Sequence, residues 1–179
     1  MGNWMLELTP DEYIVSIYDL DLDRLWLAGK RAILTDLDNT LVPWNTPLVP
    51  NALTDLLDKA RVRGFRVCIV SNNKGHRVME FADRVGVPAL AGAKKPKPEA
   101  FTQAMALLDV APGETVMVGD QLFTDVRGGN RSGLYTVLVL PIHPREWWGT
   151  RIVRQVERFA MKRLQARGLQ VPERKREGR

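Results

Sequence analysis

The sequence predicts an α/β fold of the Rossmann-like type, a three-layer sandwich in which a mostly parallel sheet lies between two layers of helices. Short apolar segments alternate with amphipathic segments, and this alternation is typical of βαβ units. Several apolar segments end at acidic or hydroxyl residues, and parallel strands place their carboxyl ends along one edge, where ligands bind. The 179 residues, of which 45% are hydrophobic, suffice for one domain with a substantial core.

Predicted strands and helices follow one another from residue 32 to residue 140. Strands are expected at 32–34, 65–70, 87–90, 115–118 and 135–140, and helices at 52–63, 76–85, 99–108 and 124–132. The helical segments repeat apolar residues at helical spacing, and Gly64 and Gly86 follow two of them as stop signals. Residues 1–30 are expected to cover an edge of the sheet.

The positive charge of the chain is concentrated near its C-terminus. The formal net charge is +5, but residues 143–179 contain 11 Lys and Arg against 4 Asp and Glu, whereas residues 1–142 contain 15 against 17. We therefore divide the chain into an N-terminal segment at 1–30, a core at 31–142 and a basic extension at 143–179 with a role of its own.

Cysteine usage and hydropathy indicate a cytoplasmic protein. Cys68 lies within the apolar run of a predicted strand, where a buried thiol is expected, and a single cysteine forms no disulfide within the chain. The N-terminus lacks the basic and apolar regions of a secretory signal. No apolar segment reaches the roughly 18 residues that a transmembrane helix needs.

Residues 35–44, TDLDNTLVPW, place two carboxylates immediately after the first predicted strand. Side chains two residues apart in a strand point to the same side, about 7 Å apart, so Asp36 and Asp38 are expected to converge. Convergence of like charges costs free energy unless a cation or a reacting group lies between them. The alternative is a polar turn, because Asp and Asn are common in turns.

The carboxyl ends of other predicted strands carry further polar side chains. Ser71 and Asp120 each follow a strand, while Lys94 and Lys95 lie in the loop after another. Because these ends share one edge of the sheet, three acids, a hydroxyl and an ammonium group are expected to meet there. The basic residues Lys74, Arg77 and Arg131 could border the same site, although their spacing does not fix this.

Hydrolysis of a phosphate ester would use each of these groups. Asp36 and Asp120 are suited to hold Mg²⁺, which prefers carboxylate ligands. Asp36 could attack phosphorus to give an aspartyl-phosphate, and Asp38 could protonate the leaving group and later activate water. Ser71 and a lysine would bind the phosphoryl oxygens, where negative charge develops in the transition state.

These segments resemble the four motifs of the haloacid dehalogenase (HAD) superfamily of phosphohydrolases. In chain order, DxDx[TV] corresponds to residues 36–40, the strand ending in Ser or Thr to 69–71, the KPxPxxF setting of the lysine to 95–101, and GDxxxxD to 119–125. One departure is Asn39, where many relatives have glycine. Four matches in the order of the family leave little room for coincidence.

The resemblance implies a role for each matched residue. Asp36 corresponds to the nucleophile and Asp38 to the acid/base, and the metal ligands correspond to the Asp36 carboxylate, the Asp38 backbone carbonyl and Asp120. Lys95 is preferred to Lys94 because it occupies the KPxP register. Asp125 is expected to surround the metal site without binding the ion. The expected catalytic residues are Asp36, Asp38, Ser71 and Lys95, and the expected substrate-binding residues are Ser71, Asn72 and Lys95.

Motif spacing leaves no room for the cap domain that many superfamily members insert. Thirty residues separate Thr40 from Ser71, and 23 separate Ser71 from Lys95, and predicted elements already fill both intervals. The phrase DLDNTLVPW, the short body and the SNN at 71–73 resemble the YqeG-type group of subfamily IIIA. This group is related to phosphatases that remove the terminal phosphate of phosphatidylglycerophosphate.

The C-terminal extension is consistent with a lipid substrate. Trp147 and Trp148 precede a basic amphipathic helix, and 145–167 is typical of an interfacial anchor on an anionic membrane, which would place the protein peripherally on its inner face. In the alternative, the apolar face packs on the sheet and the arginines are solvated. The expected apolar face comprises Ile152, Val156, Phe159, Ala160 and Leu164, and the basic face comprises Arg151, Arg154, Arg158 and Lys162.

Other functions are compatible with the same motifs. A nucleic-acid end phosphatase would also use an open basic site, but the sequence lacks the interleaved aromatic and basic residues of a single-strand groove, so nucleic acid is not favoured. A phosphatase of small soluble metabolites has no need of the basic extension. A non-hydrolytic phosphoacceptor or scaffold module would not need the acid/base at Asp38.

Overall fold

The computed structural model describes residues 4–44, 46–143 and 151–173. The strands of this part are β1 (Glu12–Ile14), β2 (Ala32–Thr35), β3 (Arg66–Val70), β4 (Ala89–Leu90), β5 (Thr115–Gly119) and β6 (Tyr135–Val139). The helices are α1 (Trp4–Glu7), α2 (Leu22–Leu27), α3 (Asn51–Arg63), α4 (His76–Val85), α5 (Pro98–Leu108), α6 (Arg127–Arg131) and α7 (Arg151–Gln165).

The strands form one parallel sheet in the order β1-β6-β5-β2-β3-β4. Ala32 to Thr35 of β2 pair with Thr115 to Val118 of β5 on one side and with Arg66 to Ile69 of β3 on the other. The residues that follow these three strands therefore lie side by side at the carboxyl edge.

The core has one apolar cluster on each side of the sheet. Ile33 packs with Leu53 and Phe81 from helices on one face, whereas Leu34 packs with Phe101 on the other. Central strands of a parallel sheet are buried on both faces, which explains why β2 is a continuous apolar run. The predicted three-layer α/β sandwich is confirmed, and α3 and α4 fill the intervals where a cap domain would be inserted.

Three elements refine the sequence-based expectation. Strand β2 ends at Thr35, so Asp36 and Asp38 lie in the loop beyond it. Within residues 1–30, Glu12–Ile14 forms an edge strand that pairs with β6. The helix expected at 124–132 begins as a π-helical turn at Leu122–Val126, in which the Val126 amide donates to the Gln121 carbonyl oxygen at 3.3 Å.

Helix α7 packs part of its apolar face on the core. Ala160 and Leu164 are buried in a third cluster with Leu8, Leu122 and Leu138. Two other members of the expected face, Val156 and Phe159, keep 50% and 54% of their surface exposed. No helix in the described ranges is both long and apolar enough to cross a bilayer.

Candidate active site

A buried ion-pair cluster lies at the carboxyl edge of the sheet, where β2 and β5 end. The Lys95 Nζ atom lies 2.8 Å from Asp36 Oδ1 and 2.7 Å from Asp125 Oδ1. The Lys95 side chain is 1% exposed. A buried ammonium is tolerated only when it is paired and hydrogen-bonded, and here two carboxylates meet both conditions.

A third carboxylate completes an acidic group around this lysine. Carboxylate oxygens of Asp36, Asp120 and Asp125 all lie within 4.8 Å of one another. The Gln121 amide donates to Asp125 Oδ2 at 3.2 Å, and the Thr40 hydroxyl donates to Asp120 Oδ1 at 3.4 Å. Three carboxylates and one ammonium leave a formal charge of −2, and hard oxygen ligands of this kind suit a divalent cation.

Gly119 makes room for this arrangement. A Cβ atom at Gly119 would lie 2.2 Å from Asp125 Oδ2, so a side chain there would displace the carboxylate. The π-helical turn that follows Asp120 directs Asp125 back beneath the strand end, where it is buried. The glycine of the GDxxxxD segment is therefore required by the close approach of Asp125.

Burial and the neighbouring charges together set the pKa values of Asp36 and Lys95. Burial raises the pKa of Asp36 to about 6, and Asp125 contributes in the same direction, while Lys95 partly opposes the rise. Burial alone would lower the pKa of Lys95, but Asp125 and Asp36 outweigh it, so the pKa of Lys95 lies above its ordinary value. The lysine is therefore charged at neutral pH.

Asp38 pairs with a different cation from the one that Asp36 contacts, while its charge still helps to raise the pKa of Asp36. Both carboxylates lie in the loop that follows β2, which ends at Thr35. Arg77 of α4 donates to Asp38 Oδ1 through a short ion pair, and Asn73 Nδ2 lies 3.4 Å from Asp38 Oδ2. Each carboxylate thus contacts its own cation, and the Asp38 side chain is 15% exposed.

The loop after β3 supports the lysine. Ser71 is buried, and its hydroxyl accepts a hydrogen bond from the Asn73 amide at 3.2 Å. The Lys95 amide donates to Asn72 Oδ1 at 2.6 Å, and Asn72 Nδ2 donates to the Lys95 carbonyl oxygen at 3.0 Å. Asn72, expected to bind substrate, therefore holds the backbone of Lys95, whereas the neighbouring Lys94 is exposed.

Two contacts of the site were not predicted from the sequence. Thr40 was noted only as the last residue of the first motif, yet its hydroxyl contacts Asp120. Arg77 was one of three basic residues without a fixed place, and only the fold brings it to Asp38. Asn39 adopts a φ of 62°, a left-handed conformation that glycine adopts freely and asparagine tolerates, which accounts for glycine at this position in relatives.

The family of the chain follows from comparison with known proteins. The sequence model of the haloacid dehalogenase-like hydrolases matches residues 42–133, just over half of the chain. The chain belongs to the haloacid dehalogenase-like hydrolases. Within this hydrolase family, the probable phosphatase YqeG of Bacillus subtilis is 38% identical over 159 residues, which cover 89% of this chain and 92% of that protein. The protein is accordingly a HAD phosphatase that acts on a phosphate ester.

More distant relatives of this HAD phosphatase agree in family or in fold. Phosphatidylglycerophosphate phosphatase 1 of Chlamydomonas reinhardtii is 28% identical over 181 residues, which cover 96% of this chain and 67% of that protein. A crystal structure of an uncharacterized protein from Corynebacterium glutamicum superimposes with a TM-score of 0.53 at 24% identity, covering 72% of this chain and 93% of that one. This last similarity supports the fold alone.

Proposed function

We propose that this HAD phosphatase is a Mg²⁺-dependent phosphomonoester hydrolase that forms an aspartyl-phosphate on Asp36. We further propose that its substrate is phosphatidylglycerophosphate or a similar anionic lipid phosphate. The observation that carries the reaction is the group of three carboxylates around the buried Lys95. Such a group places a candidate nucleophile, ligands for a divalent cation and a buried positive charge next to one another.

The first half of the reaction is attack on phosphorus. An oxygen of the Asp36 carboxylate forms a bond to phosphorus, and the bond between phosphorus and the ester oxygen breaks. Asp38, in its protonated form, gives its proton to that oxygen, so the product leaves as an alcohol. Asp38 suits this role because it is partly exposed and is held at one side by Arg77.

The second half returns the enzyme to its starting state. Asp38, now a carboxylate, takes a proton from water, and the water oxygen bonds to phosphorus while the bond from phosphorus to Asp36 breaks. Inorganic phosphate leaves, and both carboxyl groups regain their original protonation. Lys95 and the Ser71 hydroxyl would contact the phosphoryl oxygens, where negative charge is greatest in the transition state.

The residues at this edge fit Mg²⁺. We assign its binding to the carboxylates of Asp36 and Asp120 and to the Asp38 backbone carbonyl, with the Asp125 carboxylate oriented beside them. When bound, the ion would neutralise charge on the phosphoryl group and on the acidic residues. Asp125 contacts Lys95 and the Gln121 amide, so in this assignment it holds the lysine and supports the metal site from outside.

A lipid substrate is supported by three features. The protein is related to phosphatidylglycerophosphate phosphatases, although at only 28% identity to that of C. reinhardtii. Within the described ranges, the edge of the sheet carries no cap domain, which favours access for a bulky group behind the phosphate. Helix α7 exposes Phe159 and Val156 beside the exposed basic residues Arg158 and Lys162, a combination that favours an anionic lipid surface.

The reaction is tested with an aryl phosphate as substrate. Turnover should require Mg²⁺ and cease with a chelator, and Asp36→Asn should lower kcat by more than about 10⁴-fold because it removes the nucleophile. Asp55→Asn, an exposed acid on α3, is the matched control and should retain full activity. Full activity of Asp36→Asn would refute the aspartyl-phosphate, and turnover that persists without a divalent cation would refute the metal requirement.

The substrate class is tested by comparing three kinds of phosphate ester. We would compare kcat/KM for phosphatidylglycerophosphate in anionic vesicles, for sugar phosphates and for end-phosphorylated oligonucleotides, each with Mg²⁺. A lipid phosphatase should favour the lipid by at least 100-fold. Replacement of the half-exposed Val156 and Phe159 by serine, which leaves the buried Ala160 and Leu164 in place, should weaken sedimentation with anionic vesicles if 145–167 contacts the membrane. Equal hydrolysis of sugar phosphates would refute the lipid assignment while leaving the phosphatase reaction intact.

A further inference from the structure

The carboxyl edge of the sheet has a polar half and an apolar half. In the spatial order of the strands, Lys95 follows β4, Ser71 follows β3, Asp36 follows β2 and Asp120 follows β5. The next two strands along the edge, β6 and β1, are followed by Leu140 to Ile142 and by Val15 to Ser16. The reactive groups therefore give way to apolar residues one strand beyond Asp120.

A cleft of about 360 Å³ lies in the apolar half. Among the described residues, its lining contains no charged side chain and includes Val15, Thr40, Leu41, Ala52, Leu140 and Ile142. Four separate segments contribute: the turn after β1, the loop after β2, the first turn of α3 and the residues after β6. Clefts of this size and apolar character hold small ligands or parts of larger ones.

The cleft and the candidate active site share the loop after β2 as a common wall. Thr40 lines the cleft, and its hydroxyl contacts Asp120 in the acidic group. The Ile142 amide donates to the Asn39 carbonyl oxygen at 3.0 Å, and the Leu140 amide donates to the Ile14 carbonyl oxygen at 3.3 Å. These backbone hydrogen bonds fix the cleft walls to each other and to the loop that carries Asp36 and Asp38.

We propose that this cleft binds the hydrocarbon part of an amphiphilic phosphate monoester whose phosphate lies at Asp36. The inference rests on the proposed phosphatase reaction and specifies the class of substrate that the site accepts. The described lining of the cleft offers no charged side chain to pair with a second anionic group of a substrate. It gains binding free energy when a hydrocarbon displaces water from apolar surface, and the gain rises with the area covered.

The chain length of the substrate tests this proposal. Linear alkyl phosphates from ethyl to octyl would be assayed with Mg²⁺, all below the concentrations at which they form micelles. The value of kcat/KM should rise by about two- to fourfold for each added methylene, as expected when each is removed from water, and then reach a plateau when the cleft is filled. The same series needs no variant, so it does not depend on the folding of a mutant protein.

A filling substitution adds a second measurement. Ala52 is exposed and borders the cleft, so Ala52→Trp should occupy part of it and flatten the chain-length dependence, with little change for ethyl phosphate. Ala106→Trp, on the exposed side of α5, is the matched control and should keep the dependence. Melting curves of both variants would verify that they fold.

The possible outcomes distinguish failure of the cleft proposal from failure of the phosphatase proposal. If ethyl and aryl phosphates are hydrolysed but kcat/KM does not change with chain length, the cleft proposal is wrong and the phosphatase reaction stands. The cleft proposal is also wrong if Ala52→Trp lowers turnover of every chain length by the same factor. If no ester of the series is hydrolysed under any metal condition, both proposals fail.

Discussion

Two carboxylates that are one residue apart, Asp36 and Asp38, contact cations in very different surroundings. Asp36 pairs with Lys95, whose side chain is 1% exposed, whereas Asp38 pairs with Arg77, whose side chain is 23% exposed. The buried pair is shared with Asp125, and the backbone of its lysine is held by Asn72. The Asp38–Arg77 pair is less buried, since the two side chains are 15% and 23% exposed.

This difference separates a fixed group from an adaptable one. A nucleophile benefits from a single orientation, because attack on phosphorus needs accurate alignment. An acid/base must exchange protons with the leaving group and with water, which requires access to both. The surroundings of Asp36 and Asp38 meet these two needs, and substitutions at the two ion pairs can test whether the distinction holds.

The largest effect on stability is expected from Lys95→Met, which removes the buried cation. Without Mg²⁺ the free energy of unfolding should fall by about 3 kcal/mol, because breaking a buried ion pair leaves unpaired carboxylates. Turnover of an aryl phosphate should fall by at least about 10³-fold, since a charge that stabilises the transition state is lost. Denaturant unfolding and steady-state kinetics measure the two effects.

Lys97→Met is the matched control for this substitution. Lys97 is exposed and lies in the same loop, so its replacement should change both quantities little. Millimolar Mg²⁺ should restore part of the stability lost in Lys95→Met, because a cation that binds the native carboxylates stabilises the folded state. Equal stability of Lys95→Met and the unmodified protein without Mg²⁺ would contradict the importance of the buried pair.

A smaller effect, confined to turnover, is expected from Asp38→Asn. Removal of a general acid should lower kcat for an alkyl phosphate by about 10²-fold. The loss should be clearly smaller for an aryl phosphate, whose leaving group departs without a proton. Stability should change little because asparagine keeps the shape and one acceptor oxygen of the side chain, and the Asp38 and Arg77 side chains are 15% and 23% exposed.

Asp83→Asn serves as the control for Asp38→Asn, because Asp83 is an exposed acid on the same helix as Arg77. The comparison of leaving groups is the informative part of this experiment. If the alkyl and aryl substrates lose turnover by the same factor, Asp38 does not protonate the leaving group. The different ion pairs of Asp36 and Asp38 would then need another explanation.

The sequence predicted the polar edge well because that edge depends on strand ends alone. Asp36, Ser71 and Asp120 each follow an apolar run, and a parallel sheet brings such ends together whatever the loops do. The alternation argument treated Asp36 and Asp38 as strand residues, but β2 ends at Thr35, so the loop after it sets their positions. In this loop Asn39 has a positive φ, and each of the two carboxylates pairs with its own cation.

Features that depend on contacts between distant segments could not be predicted in this way. The contact of Arg77 with Asp38 requires the position of α4 relative to the loop after β2. The apolar cleft is built from four short segments, none of which has a pattern of its own. Helix α7 was predicted as amphipathic, but only packing shows that Ala160 and Leu164 are buried while Phe159 is half exposed.

The smallest effect is expected from Arg77→Gln, and it shows whether the arginine acts through Asp38. Loss of the ion pair should lower kcat for an alkyl phosphate by less than about tenfold, because a partly exposed pair contributes little and Asn73 still lies beside Asp38. In a double-mutant cycle, Arg77→Gln should have no further effect once Asp38→Asn is present. An undiminished effect in that background would mean that Arg77 contacts the substrate itself, and the Asp38 pair would then be part of phosphate binding rather than a support for proton transfer.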